Sequence, residues 1–220
     1  MMRGQYNDTV YHQELRQKLV NSLREKGITD EYVLEAINTV PRHYFMSDDQ
    51  LENAYVDKAF PIDAGQTISQ PFTVACQTQL LEIDPHDKVL EVGTGSAYQA
   101  CVLARMGCEV FSVERQKRLV EKNRKFDYLK HFPKLHLFYG DGYYGLPEHA
   151  PFDKILITAA APEVPYELVA QLKMPGMMVL PLGASSTQIM LRLSKLNNGE
   201  IIEQEFGRFS FVPMLRGSKD

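Results

Sequence analysis

Glu91, Gly93 and Gly95 form an acid-x-Gly-x-Gly run, with Thr94 and Ser96 as small polar residues between and after the glycines. Glycines in such a turn take positive φ and let the backbone approach a ligand without a Cβ in the way. A helical pattern starts directly afterwards, so free N–H groups present partial positive charge at the turn. Glu114 follows Gly95 by 19 residues. That is the interval at which an acid grips a ribose diol in nucleotide-binding α/β units. Asp141 and Gly142 mark another turn after an apolar run. A separate loop, residues 55–73, is dense in Gly, Pro, Asp and Ser and holds Gln66, Thr67, Ser69 and Gln70 together. Long loops inside compact domains are often functional; an ordinary Ser/Thr surface loop is the competing reading.

The turn discriminates between ligands. A dinucleotide wants G-x-G-x-x-G, with the last glycine packing helix on strand. Three residues after Gly95 stands Tyr98, so that fingerprint fails. Glu91, Glu114 and Asp141 place acids along one rim and would repel phosphates. They suit a ligand with a positive centre, a ribose and an adenine but no phosphate, which points to S-adenosylmethionine over NAD or ATP. An ordinary strand–turn–helix with incidental glycines is the alternative for the turn alone, since short glycine motifs recur by accident.

The surrounding pattern supplies the elements that hold these residues. Lys88 to Glu114 reads as strand, turn, helix, strand, half of a nucleotide-binding unit. Helices are expected over 10–26 and from Thr29 or Asp30 to Pro41, then from Val74 to Leu81, over 117–129 and over Tyr166 to Leu172. Further strands are expected at Leu135 to Tyr139, Asp153 to Thr158, Met177 to Leu182, Gln188 to Leu196 and Ile201 to Val212, the last two joined by an Asn197-Asn198-Gly199 hairpin turn. Alternation of strand and helix followed by a hairpin predicts a doubly wound α/β fold, mainly parallel with an antiparallel C-terminal edge. Residues 1–80 read as an N-terminal helical extension with an active-site loop, and 81–220 as the ligand-binding core. Ligands of such sheets sit at the carboxyl ends of the strands.

Composition narrows the class. The chain has 220 residues, 44% hydrophobic and 24% charged, with net charge −4, which is ordinary for one globular core. No cluster of Lys and Arg with interleaved aromatics stands out, which argues against nucleic acid as a partner. Cys76, Cys101 and Cys108 form no metal-type spacing, so no metal is expected and free thiols are. No apolar run approaches membrane length, and MMRGQYNDTVYHQ at the start lacks an apolar leader core. A cytoplasmic, reduced, monomeric protein is the expectation.

Several stretches together carry a resemblance. VPRHYF at 40–45, DKAFPIDAGQTISQPF at 57–72, VLEVGTGSAYQ at 89–99, GDG at 140–142, APFDKILITAAAPEVP at 150–165 and FVPM at 211–214 resemble the protein-L-isoaspartate O-methyltransferase family. The resemblance covers nearly the whole chain beyond residue 40. It implies a class I S-adenosylmethionine-dependent methyltransferase fold with a seven-stranded sheet whose last two strands are exchanged relative to other methyltransferases. It implies methylation of the free carboxylate of L-isoaspartyl residues, and of D-aspartyl residues as a side activity, in damaged proteins and peptides. The ester then closes to a succinimide whose hydrolysis returns some normal aspartate. By the same resemblance Ser69 is the active-site serine, with Thr67, Ile68, Val212 and Pro213 at the substrate. Glu91, Gly93, Thr94, Gly95 and Ser96 lie at the methionine side of the cofactor, Glu114 at its ribose, and Asp141 and Gly142 at its adenine. One departure matters. Relatives read GTGSGYQ, whereas this chain has Ala97. In helical φ/ψ at a first turn, Ala costs nothing, and retained cofactor binding is expected on that basis; at positive φ its Cβ could crowd the cofactor.

Carboxyls ionise near pH 4, so an isoaspartyl acceptor is already an anion at neutral pH. Methyl transfer to it needs alignment and exclusion of water, not a general base. Other readings stay open at this point. A small-molecule or nucleic-acid methyltransferase shares the fold, though base-amino methylases carry a D/N-P-P-Y loop where this chain has Thr158-Ala159-Ala160-Ala161-Pro162. A non-catalytic module that binds cofactor or isoaspartyl protein without turnover is the third.

Overall fold

The chain is described by a computed structural model covering residues 7–220. The reading of residues 1–13 as lacking a leader core falls partly on residues 1–6, which lie outside the described residues. Helix α1 (Val10–Glu25) buries Leu19, Val20 and Leu23. Helix α2 (Glu31–Thr39) is capped by Asp30, whose carboxylate accepts the N–H groups of Tyr32 and Val33 at 2.9 and 3.2 Å. Of the two candidate caps Asp30 thus takes the role, because an ionised side chain is the stronger acceptor at a helix N-terminus.

The loop at 55–73 is less irregular than its composition suggests. Strands β1 (Phe60–Pro61) and β2 (Thr67–Ile68) pair as a short antiparallel ribbon across it. Asp57 anchors the loop by accepting the Phe72 N–H at 2.8 Å and pairing with Lys26 at 2.5 Å. Helix α3 (Pro71–Leu80) begins three residues before the expected Val74. Pro71 at the first helical position explains the earlier start, since its fixed φ suits the helix and its missing N–H costs nothing there.

The main sheet is built outward from β3 (Lys88–Val92), whose Val89, Leu90 and Val92 are all buried. Helix α4 (Tyr98–Arg105) follows. Strand β4 (Glu109–Glu114), helix α5 (Lys117–Arg124) and strand β5 (Leu135–Tyr139) come next. The helix expected over 117–129 ends at Arg124, and a 3-10 turn at Asp127–His131 replaces its last part. Strand β6 (Phe152–Ile157), helix α6 (Tyr166–Ala170), and strands β7 (Leu172–Leu182), β8 (Gln188–Lys195) and β9 (Ile201–Phe209) complete the chain. β7 begins earlier than expected: Leu172 pairs with Phe152, and a register shift lets Pro175 and Gly176 stay within the strand.

The seven strands run in the order β5-β4-β3-β6-β7-β8-β9. Pairs from β5 through β7 are parallel, and β7–β8 and β8–β9 are antiparallel. This is the mainly parallel seven-stranded sheet with an antiparallel terminal hairpin, with its last strands in the exchanged order the resemblance implies. Leu90 and Val92 face one hydrophobic cluster while Val89 faces another, as strand alternation requires. The N-terminal helices pack through a third cluster onto Tyr98, Cys101 and Val102 of α4. That packing brings the β1–β2 loop over the carboxyl ends of the central strands.

Candidate active site

The turn between β3 and α4 is held from both sides. Gly93 has φ +102°, and a Cβ there would lie 2.4 Å from the Thr158 hydroxyl oxygen. Only glycine allows this turn to lie against the end of β6. The Thr158 hydroxyl donates to the Gly93 carbonyl at 2.7 Å. Gly95, at φ +53°, donates its N–H to Glu114 Oε2 at 2.9 Å and accepts the Asn123 side-chain amide at its carbonyl, also at 2.9 Å. The other Glu114 oxygen accepts the Gln116 N–H at 2.9 Å. A carboxylate offers about four acceptor positions, so Glu114 keeps acceptor capacity for a diol.

A cleft opens above this turn, lined by residues 66–69, 92–96, 113–115, Gly142, 158–159 and 212–215. It contains Gly93, Thr94, Gly95, Ser96, Glu114 and Gly142 from the predicted cofactor set, and Thr67, Ile68, Ser69, Val212 and Pro213 from the predicted catalytic and substrate set. Gly142 fits tightly under it: a Cβ there would meet Val92 Cγ1 at 2.5 Å. Val212 and Pro213 are brought in by pairing of the tail with the loop after β6. Ala160 N–H donates to the Val212 carbonyl, and Met214 N–H to the Ala160 carbonyl, both at 2.8 Å.

Two predicted residues sit elsewhere. Glu91 is fully buried beneath the turn and does not line the cleft. It accepts a short hydrogen bond from the Ser112 hydroxyl, which in turn meets the Thr94 hydroxyl at 2.5 Å. Burial pushes its carboxyl up to about 8; the Ser112 bond opposes the rise and Glu114 adds to it. Asp141 turns its carboxylate toward the protein, accepting Tyr143 N–H at 2.9 Å and Gly217 N–H at 2.7 Å. It shapes the turn that presents Gly142 and fastens the C-terminal tail.

Ala97 corrects an expectation. It is not in helical φ/ψ but in the left-handed region, at φ +69° and ψ 11°. Its side chain, however, is fully buried in the cluster with Leu80, Leu81 and Val89. The Cβ therefore points into the core and does not line the cleft, so the strain falls on the backbone and the cofactor side stays clear.

A second cavity, a groove, lies on the far side of the β2 loop, bounded by that loop, α3 and the end of β9. Cleft and groove share four residues: Thr67, Ser69, Thr158 and Val212. The Ser69 side chain has no hydrogen-bond partner among the described residues and is half-buried at this junction. No histidine lines either cavity. Cys76 lines the groove, but burial pushes its thiol up to about 11, leaving it protonated and a poor nucleophile. Thr158, Asn123 and Met214 were missed by sequence reasoning. Thr158 could have been found from its place at the carboxyl end of a central strand; Asn123 and Met214 reach the site only through folding.

Among the described residues, one other cluster has metal-type side chains. Asp8, His12 and His43 bring ligand atoms within 4.8 Å of one another. Arg16 already binds Asp8 through two contacts of 2.9 Å. The two imidazoles stack at 4.0 Å with planes 13° apart, so their in-plane lone pairs lie in separate, nearly parallel planes and are poorly placed to meet on one ion.

The fold and this cleft define an S-adenosylmethionine-dependent methyltransferase of the class I type. The donor set fits that cofactor: a carboxylate with spare acceptor positions, an open glycine turn at a helix start, and apolar walls from Val92, Val113 and Met214. The comparisons narrow the class. The family model for protein-L-isoaspartate(D-aspartate) O-methyltransferase matches residues 13–219, and the chain belongs to that family. The protein-L-isoaspartate O-methyltransferase of Christiangramia forsetii is 53% identical over 209 residues, covering 94% of this chain and 97% of that one. The Cytophaga hutchinsonii enzyme of the same name is 52% identical and covers 94% of each. A solved Plasmodium falciparum protein assigned to the same activity, in complex with S-adenosyl-L-homocysteine, superposes with a TM-score of 0.79 at 26% identity, over 91% of this chain and 98% of that one. The chain is thus a transferase that uses S-adenosylmethionine and acts on isoaspartyl residues in proteins. No helix among the described residues is long and apolar enough to cross a membrane.

Proposed function

We propose that the cleft takes the cofactor, the groove takes the isoaspartyl segment, and Ser69 orients the acceptor carboxylate where the two meet. The observation that carries this assignment is the sharing of Thr67, Ser69, Thr158 and Val212 by both cavities. When bound, S-adenosylmethionine supplies a methyl group on a positively charged sulfur. Glu114 would accept the ribose hydroxyls, the Gly93–Ser96 turn would face the methionine end, and Gly142 and Met214 would border the adenine. Glu91 supports this turn from below through Ser112 and Thr94, and Asp141 shapes the separate turn that presents Gly142.

The Ser69 hydroxyl donates to one oxygen of the acceptor carboxylate and so directs the other toward the methyl carbon. The acceptor arrives ionised, so no side chain has to remove a proton, in keeping with cavities that hold no histidine. Ile68, 2% exposed, and Val212 set apolar surface beside the hydroxyls of Thr67, Ser69 and Thr158. Exclusion of water there strengthens the pull between anion and sulfonium. We further assign the protein to the cytoplasm, in keeping with its three free cysteines, as a monomer, since the sequence carries no heptad pattern or apolar surface stripe, and without nucleic acid as a partner, since it carries no cluster of Lys and Arg with interleaved aromatics. Transfer of a labelled methyl group from S-adenosylmethionine to a synthetic isoaspartyl peptide, with the normal aspartyl peptide as control, tests the reading. No transfer to the isoaspartyl peptide would leave the chain a binding module.

A further inference from the structure

The VPRHYF stretch at 40–45 gives no residue to the cleft or the groove, yet its Arg42 is fully buried. Burial pulls the guanidinium down to about 10, with Tyr98, Asp57 and Tyr55 opposing the fall, so it stays charged at neutral pH. Nη2 donates to the Lys58 carbonyl at 3.4 Å. Nε and Nη1 have no hydrogen-bond partner among the described residues. Asp57 acts on Arg42 only through space, its two oxygens being taken by Lys26, Gln70 and Phe72. A buried cation so sparsely partnered is costly to fold. What it does touch is the site. Its Cζ lies 5.0 Å from the centre of the Tyr98 ring, within cation–π range. Phe45, from the same 3-10 turn (Arg42–Phe45), meets that ring edge-on at 5.4 Å. The Tyr98 hydroxyl has no hydrogen-bond partner among the described residues, so ring contacts hold that side chain. Tyr98 is the first residue of α4, follows the left-handed Ala97 and lines the cleft. Lys58 lies two residues before β1 and next to Asp57, the anchor of the Ser69 loop. Arg42 thus spans from the exit of the cofactor turn to the root of the acceptor loop.

We propose that Arg42 is a positioning residue for methyl transfer: its charge over Tyr98 and its bond to Lys58 keep the cofactor turn and the Ser69 loop in register. The inference rests on the roles assigned above to the cleft and to that loop. Misplacing reacting groups by about 1 Å can cost on the order of a hundredfold in rate. A link between the two segments therefore gives a reason to keep a charge that packing alone does not favour. Folding by itself would be served as well by an apolar side chain of similar length.

The test compares Arg42→Met with Arg42→Lys on an isoaspartyl peptide. Met fills similar space without charge, and the urea midpoint of Arg42→Met should equal or exceed that of the wild type. Its kcat should fall about ten- to a hundredfold, with peptide KM and S-adenosylhomocysteine affinity each within about threefold. Arg42→Lys gives the sharper readout, because a buried lysine gives up its proton far more readily than a buried arginine. The groups facing it are Tyr98 on α4 and Tyr55 and Asp57 before β1, of which Asp57 alone is charged at neutral pH. Relative to wild type at the same pH, its kcat should lie within about threefold at about pH 6 and fall at least about tenfold by about pH 9. Taking that ratio cancels the titration of Glu91. Arg42→Met should stay low throughout. Unchanged kcat in Arg42→Met, a loss carried by KM or by S-adenosylhomocysteine affinity, or an Arg42→Lys ratio flat with pH would each overturn the proposal. If Arg42→Met does not fold, the Arg42→Lys ratio alone decides. Full kcat in Ser69→Ala would instead strike the loop's role, on which the inference rests.

Discussion

Glu114 and Gly95, 19 residues apart in the chain, are joined by a 2.9 Å hydrogen bond from the Gly95 N–H to the Glu114 carboxylate. The end of β4 thereby fixes the glycine turn at the end of β3. The residue placed to hold the ribose also holds the turn that faces the methionine end. Glu114→Ala should therefore weaken S-adenosylhomocysteine binding by about 1.5–3 kcal/mol, the range for hydrogen bonds to a charged group. Titration calorimetry checks this, and unchanged affinity would move the cofactor out of this cleft.

Ser69→Ala should lower the single-turnover methylation rate about ten- to a thousandfold, the effect of one lost hydrogen bond that orients a reacting anion. Cofactor affinity should change much less. Ser69→Thr keeps the hydroxyl and should retain part of the activity. A Ser nucleophile needs an adjacent base, and neither cavity offers a histidine. A covalently modified Ser69 recovered from the reaction by mass spectrometry would replace orientation with covalent catalysis.

Ala97 holds left-handed backbone at φ +69° with its side chain in the core. A non-glycine residue there costs about 1 kcal/mol or somewhat more. Ala97→Gly relieves that strain but frees the unfolded chain and empties a methyl-sized space. A net stabilisation of about 0.5 kcal/mol is expected, read from the urea midpoint. Cofactor affinity should stay within a few fold. A tenfold gain in affinity, about 1.4 kcal/mol, would show that the Ala97 methyl group hinders the cofactor side after all.

Glu91 makes stability depend on pH. Its carboxyl ordinarily titrates at 4.5 and is raised to about 8 in the folded chain, first by burial. Between those values the folded protein keeps a proton that the unfolded chain has released. This contribution is fully present below about pH 4.5 and is lost as pH rises through 8. Glu91→Gln keeps an acceptor for Ser112 and removes the titration. Its urea midpoint should fall less between pH 5 and pH 8 than that of the wild type. Its affinity for S-adenosylhomocysteine should drop less than that of Glu114→Ala. Parallel pH profiles for variant and wild type would place the charge of Glu91 in water.

The sequence by itself determined the elements and their order. An apolar run buried on both faces had to be a central parallel strand, and its glycines had to form the turn, because period and glycine placement are local properties. The same holds for the terminal hairpin at Asn197-Asn198-Gly199 and for the acid at the end of β4. What the chain could not state is which way a side chain turns once strands are aligned. Glu91 and Glu114 share one face of the sheet and the same chemistry, yet Glu91, opposite Ser112 and one residue inside β3, is covered by the glycine turn, whereas Glu114, the last residue of β4, reaches the cleft. Asp141 carries the right type but is claimed by the Gly217 N–H, contributed from 76 residues away. Ala97 takes a left-handed conformation at the start of α4 with its side chain packed in the core, a burial that its own residue type does not signal. The junction at Ser69 exists only because the N-terminal helices, packed on α4, lay the β2 loop against β6 and the returning tail. Those contacts join segments about 90 to 140 residues apart, and burial and packing, which no local pattern records, decide them.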